Sequence, residues 1–98
     1  MLYKEDIHEL GFLAKTPNRR IYHHLSSPYL MEIANEYAYN EYNFLQERFI
    51  IWEYETSTRT HQPILHRGPD SKILLNKINP TKEEVTQALN NYNGTSNI

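Results

Sequence analysis

Residues 27 to 46 read SPYLMEIANEYAYNEYNFLQ, and the fold turns on whether they wind into a helix or lie flat as a strand. As a helix, Ser27 is an N-cap, Pro28 takes the first helical position, and Leu30, Ile33, Ala34, Tyr37 and Ala38 form an apolar stripe continuing to Leu45. As a strand, Tyr29, Met31, Ile33, Tyr37 and Tyr39 alternate tolerably, and tyrosine favours sheets. The spacing favours the helix, and the strand stays open. On a helix, Tyr37 and Ala38 face the core while Glu36, Tyr39, Asn40 and Asn43 face out. Tyrosine beside Asn and Glu is the chemistry of binding surfaces, since it supplies rigid contact area with a polar tip. Glu36, Tyr39, Glu41 and Tyr42 are therefore the candidate partner-binding residues.

Upstream, Lys4 to Leu10 suits a short helix, with Ile7 and Leu10 three apart and Gly11 as the residue that ends it. Gly11 to Lys15 and Arg20 to Leu25 read as strands of a hairpin joined by the turn residues Thr16, Pro17, Asn18 and Arg19. Downstream, Phe49 to Glu55 (FIIWEYE) is the clearest strand, with Ile50, Trp52 and Tyr54 on one face and Phe49 and Ile51 on the other. Pro63 to His66 is a candidate edge strand, and Gly68 to Ser71 a turn before a strand from Lys72 to Ile78. Thr81 opens TKEE, a capping box completed by Glu84, and Val85, Ala88, Leu89 and Tyr92 supply the apolar stripe of a terminal helix. Asn93 to Ile98 reads as a frayed tail. The order predicts a single α+β domain over 1–98, a small antiparallel sheet packed by a C-terminal helix and one or two further helices.

The chain has 98 residues, enough for one core that buries roughly two thirds of the unfolded chain's surface. Cysteine is absent, which excludes disulfides, thiolate metal sites and a cysteine nucleophile and suits a reducing cytoplasm. Charges at Lys4, Glu5, Asp6 and Glu9 interrupt the apolar stretch a signal peptide needs, and no run approaches a membrane span. The charges are uneven. Glu32, Glu36, Glu41, Glu47, Glu53 and Glu55 stand against Arg48 alone, and the following stretch sets Arg59, Arg67, Lys72 and Lys77 against Asp70. An acidic middle argues against direct nucleic acid binding, and a homo-oligomer stays open.

Of the five histidines, His23 and His24 are adjacent in a strand and point to opposite faces, and His61 and His66 lack a supporting carboxylate in helical spacing. No metal or cofactor is expected. There is no glycine-rich phosphate loop and no nucleophile elbow, so an enzyme is the less favoured class and no catalytic residue is assigned. Arg59, His61, His66 and Arg67 form an alternative anion site, in which guanidinium forks would hold a nucleotide's phosphates. Its bland counterpart is a solvated loop beside an acidic sheet.

At EDIHELGF, and at ILHRG followed by KILLNKINPTKEEVTQAL, the chain resembles small proteins of bacteriophages and mobile elements. The resemblance covers the two ends, not the middle, and assigns no functional residue. It implies an α+β accessory protein, often an inhibitor or decoy acting on a host system in the cytoplasm of the infected bacterium. The function so expected is a non-catalytic inhibitor of a bacterial defence protein, acting through the acidic, tyrosine-rich surface. The alternatives are sequestration of a nucleotide signal and a structural or regulatory phage role.

Overall fold

The segment on which the fold turns is extended: Tyr29–Tyr37 forms a strand of nine residues, and the helix expected over 27–46 is not there. The computed structural model describes residues 2–37 and 45–96. Along the chain run α1 (Lys4–Glu9), β1 (Phe12–Ala14), β2 (Ile21–His24), β3 (Tyr29–Tyr37), β4 (Leu45–Glu53), β5 (Ile73–Ile78) and α2 (Lys82–Ser96). The strands make one antiparallel sheet in chain order, so the architecture is α+β with α1 as the one helix beside α2 among the described residues.

The helix expectation failed for a physical reason. Tyr29, Leu30 and Met31 are all buried, because the start of β3 lies at the sheet's centre with packing on both faces. Such a strand loses the alternation that would have betrayed it. Leu30 pairs with Trp52, Met31 with Ile51 and Ile33 with Phe49, so both strands bury consecutive residues. Ser27, instead of capping a helix, hydrogen-bonds the Nδ1 of His24.

One face of the sheet carries the main core. Tyr22, Met31, Ile33, Phe49 and Ile51 pack there with Ile7 of α1 and with Val85 and Leu89 of α2. A bulge opposite Ile51 and Trp52 leaves Leu74 as the extra residue of β5, and Leu74 and Leu75 both pack against this core. The capping box forms as read: Thr81 Oγ1 accepts from the Glu84 N–H at 3.1 Å, and Glu84 Oε1 accepts from the Thr81 N–H at 3.0 Å. Ion pairs from Lys77 to Glu84 and from Lys82 to Glu9 tie α2 to β5 and to α1. α2 runs on to Ser96, through most of the stretch read as a tail; the side chain of Tyr92 lies outside the described residues.

The opposite face holds a smaller cluster, Leu30, Ile50 and Trp52, joined by Ile21, Tyr54 and Leu65. Both helices belong to the first face, so what crosses this one is the segment after β4. The expected edge strand at Pro63 reduces to a single bridge with Thr56. Among the described residues, no helix is long and apolar enough to cross a membrane.

Gly11 ends α1 as the sequence suggested. Its φ is +92°, its N–H reaches the His8 carbonyl at 3.0 Å, and a Cβ there would sit 3.1 Å from the His24 ring nitrogen Nε2. Gly11→Ala is expected to cost at least about 1–2 kcal/mol, the left-handed penalty for an L-residue. Urea denaturation of the variant checks this, and an unchanged midpoint would contradict the turn geometry.

Candidate functional site

The helix-free face divides into a charged half and an apolar half. On β3, Glu36 follows Leu30, Glu32 and Ala34 along this face; on β4, Arg48 follows Trp52 and Ile50. The Arg48 guanidinium grips Glu36 with both forks, Nε to Oε2 at 2.7 Å and Nη2 to Oε1 at 3.1 Å, and gives Nη1 to Asn76 Oδ1 at 2.8 Å. The hydrogen bonds from Arg48 hold the Glu36 carboxyl below the ordinary carboxylate range. Glu36 is thus fixed by its neighbours, at the end of β3 that leads into the tyrosine-rich stretch. The other three residues read as partner-binding, Tyr39, Glu41 and Tyr42, lie outside the described residues.

The acidic middle is largely neutralised in three dimensions. Glu32 pairs with Arg67 at 2.9 Å, Glu36 with Arg48, and Glu47 with Arg20 at 3.4 Å. Glu53 also has a partner. Bases distant in sequence meet these acids across the sheet, which a count along the chain does not reveal.

The four residues of the alternative anion site fall into two pairs. Arg59 and His61 sit in a tight loop organised by Ser57, whose Oγ accepts from the Arg59 N–H at 3.2 Å and whose carbonyl accepts from the His61 N–H at 2.9 Å. His66 and Arg67 line a cleft of about 490 Å³ with Thr16, Ile21, Glu32 and Leu65. A phosphate entering that cleft would have to displace Glu32 from Arg67 and tolerate its carboxylate nearby. Among the described residues, no group of three or more His, Asp or Glu side chains is arranged to hold a metal ion.

A second cleft, of about 530 Å³, opens where β4 ends. Trp52, Glu53, Tyr54 and Glu55 form one wall; Ile64, His66, Gly68, Pro69, Asp70, Ser71 and Lys72 form the other. The sequence offered no signal for it beyond a lone tryptophan in a strong strand. Trp52 is 1% exposed, and its indole Nε1–H is buried with no hydrogen-bond partner among the described residues. Indole nitrogen is a donor only, and leaving a buried donor unsatisfied costs about 1–3 kcal/mol. Tyr54 is held in place by His23, whose Nε2 lies 3.3 Å from the phenol oxygen and whose ring meets the tyrosine edge-on at 5.5 Å.

His24 points to the other face and is committed to one tautomer. Its Nε2–H donates to the Leu10 carbonyl at 3.1 Å, so Nδ1 must accept from the Ser27 hydroxyl. Burial pushes its pKa below the ordinary 6.5, against the opposing pull of the Leu10 carbonyl, and burial acts on His23 in the same direction. The unfolded chain therefore takes up protons at a pH where the folded one does not. Stability is full above about 6.5 and falls as the pH drops below it. His24→Gln should flatten that decline in denaturation curves taken across the acid range; an identical pH slope would contradict the neutral assignment.

No family model, curated protein or solved structure matches the chain.

Proposed function

We propose that the protein is a non-catalytic binding protein, phage-encoded, that inhibits a bacterial defence protein in the host cytoplasm. The observation that carries the binding reading is the one-sided covering of the sheet. Both helices pack on one face, while the other bears the fixed Glu36–Arg48–Asn76 array, the cleft at Trp52 and the exposed side chains Ile64 and Ile73. Apolar contact area beside ordered polar groups is the composition of a protein interface. The phage setting is supported by the resemblance at the two ends of the chain and by a bias toward Asn, Lys, Ile and Tyr that suits an AT-rich genome. In this reading Tyr39 and Tyr42, proposed from the sequence, are further candidate contacts.

The experiment is phage plating on bacteria carrying an RNA-guided nuclease or a nucleotide-signalling defence, with and without the protein. Restored plating against one of them, together with a complex of the protein and a component of that defence in native mass spectrometry, is the expected result. Unchanged plating in both strains, or restored plating with a nucleotide retained in place of a protein, would overturn it.

A further inference from the structure

The cleft at the end of β4 makes two chemical demands at once. Trp52, one of its lining residues, has a buried indole N–H that no acceptor meets among the described residues. Its rim carries Glu55 and Asp70, both exposed and neither in an ion pair among the described residues. An anionic ligand is disfavoured because Glu53, Glu55 and Asp70 outnumber Lys72 in the lining, and a simple cation cannot accept from an indole. A peptide answers both, since its main-chain carbonyls accept hydrogen bonds and an arginine or lysine side chain supplies the positive charge. The cleft's volume, about 530 Å³, lies within the usual range of ligand sites, roughly 300–1,000 Å³. Tyr54 and Pro69 add apolar wall for the aliphatic stem of such a side chain.

We propose that this cleft is the docking site for a basic peptide segment of the partner protein. A main-chain carbonyl of the segment accepts from the Trp52 Nε1–H, and an arginine or lysine side chain meets Glu55 and Asp70. The proposal rests on the reading of the chain as a protein-binding protein and names the chemistry that its partner presents. Because the indole N–H lies beneath the surface, docking shifts the segment from Pro63 to Ser71, which is held by the Thr56–Pro63 bridge, the Ile64 N–H to the Glu55 carbonyl at 2.8 Å, the packing of Leu65 and the Arg67–Glu32 pair.

Trp52 is the chain's one tryptophan, so its fluorescence reads the site directly. The full chain is titrated with the blocked peptide acetyl-Ala-Arg-Ala-Arg-Ala-amide, with its glutamate counterpart, and with guanidinium at matched concentration. The expected result is a saturable emission change with the arginine peptide alone, weakening as salt is raised. Glu55→Gln combined with Asp70→Asn should lower the affinity at least about tenfold, by loss of charge-assisted hydrogen bonds. Silence with the arginine peptide up to millimolar concentrations would overturn the proposal. So would equal saturation by guanidinium, which lacks the acceptor, or undiminished binding by the double variant. Plating that is restored while the cleft stays silent leaves the inhibitor reading standing and removes this site. Peptide binding without any effect on plating does the reverse.

Discussion

Replacing Trp52 by alanine should lower the unfolding free energy by about 3–5 kcal/mol, the usual consequence of removing a large side chain from a packed interior. Trp52 is 1% exposed and holds together Leu30 and Ile50 beneath it and Tyr54 and Leu65 around it. Against a total of about 5–15 kcal/mol for a typical domain, that loss brings the chain close to unfolding at ordinary temperature. Trp52→Phe should cost distinctly less. It also leaves a void, but it removes the buried N–H that has no acceptor, and the relief offsets part of the lost packing. Urea denaturation followed by circular dichroism measures both variants without needing the tryptophan signal. A cost for Trp52→Ala below about 1 kcal/mol, the range of surface substitutions, would show that the indole is not enclosed.

On the opposite face Phe49→Ala should be equally damaging, about 3–5 kcal/mol. Phe49 is buried beside Ile33, its partner across the strands, in the cluster that receives Val85 and Leu89 of α2. Phe49→Leu keeps most of the volume and should cost less than about 1.5 kcal/mol. The alanine variant should also lose helical signal ahead of sheet signal, because α2 packs on the same core cluster. If Phe49→Ala proved mild and Trp52→Ala severe, the main core would have to lie on the face assigned to the partner.

Much of this fold was legible where local chemistry and tertiary role agree. TKEE at Thr81 capped α2, Gly11 ended α1, and the turn around Pro17 and Asn18 joined β1 to β2 with Arg19 N–H donating to the Thr16 carbonyl at 3.0 Å. FIIWEYE was recognisable because β-branched and aromatic residues crowd it. Its neighbour β3 was not, for the same reason in reverse. Leu30, Ile33 and Ala34 fall at helical spacing, while in the sheet Leu30 and Ala34 share one face and Ile33 the other. Periodicity cannot separate the two when a strand is buried on both sides.

The site was less legible than the fold. Charge counted along the chain suggested an acidic surface at Glu32 to Glu55, but bases from the first hairpin, from β4 itself and from the loop after β4 reach across to those acids. The carboxylates left beside an apolar wall are Glu55 and Asp70, fifteen residues apart and brought to one cleft by the return of the chain into β5. A sequence alone has no means of displaying that return.

The central claim is that the partner is bound on the face the helices leave uncovered. Hydrogen exchange of the protein, alone and in complex with the proposed defence-protein partner, tests it most directly. The account predicts new protection in residues 53–56 and 63–73, with α1 and α2 unchanged. Protection gained along α1 and α2, with those two stretches exchanging as in the free protein, would place the interface on the opposite side and contradict it.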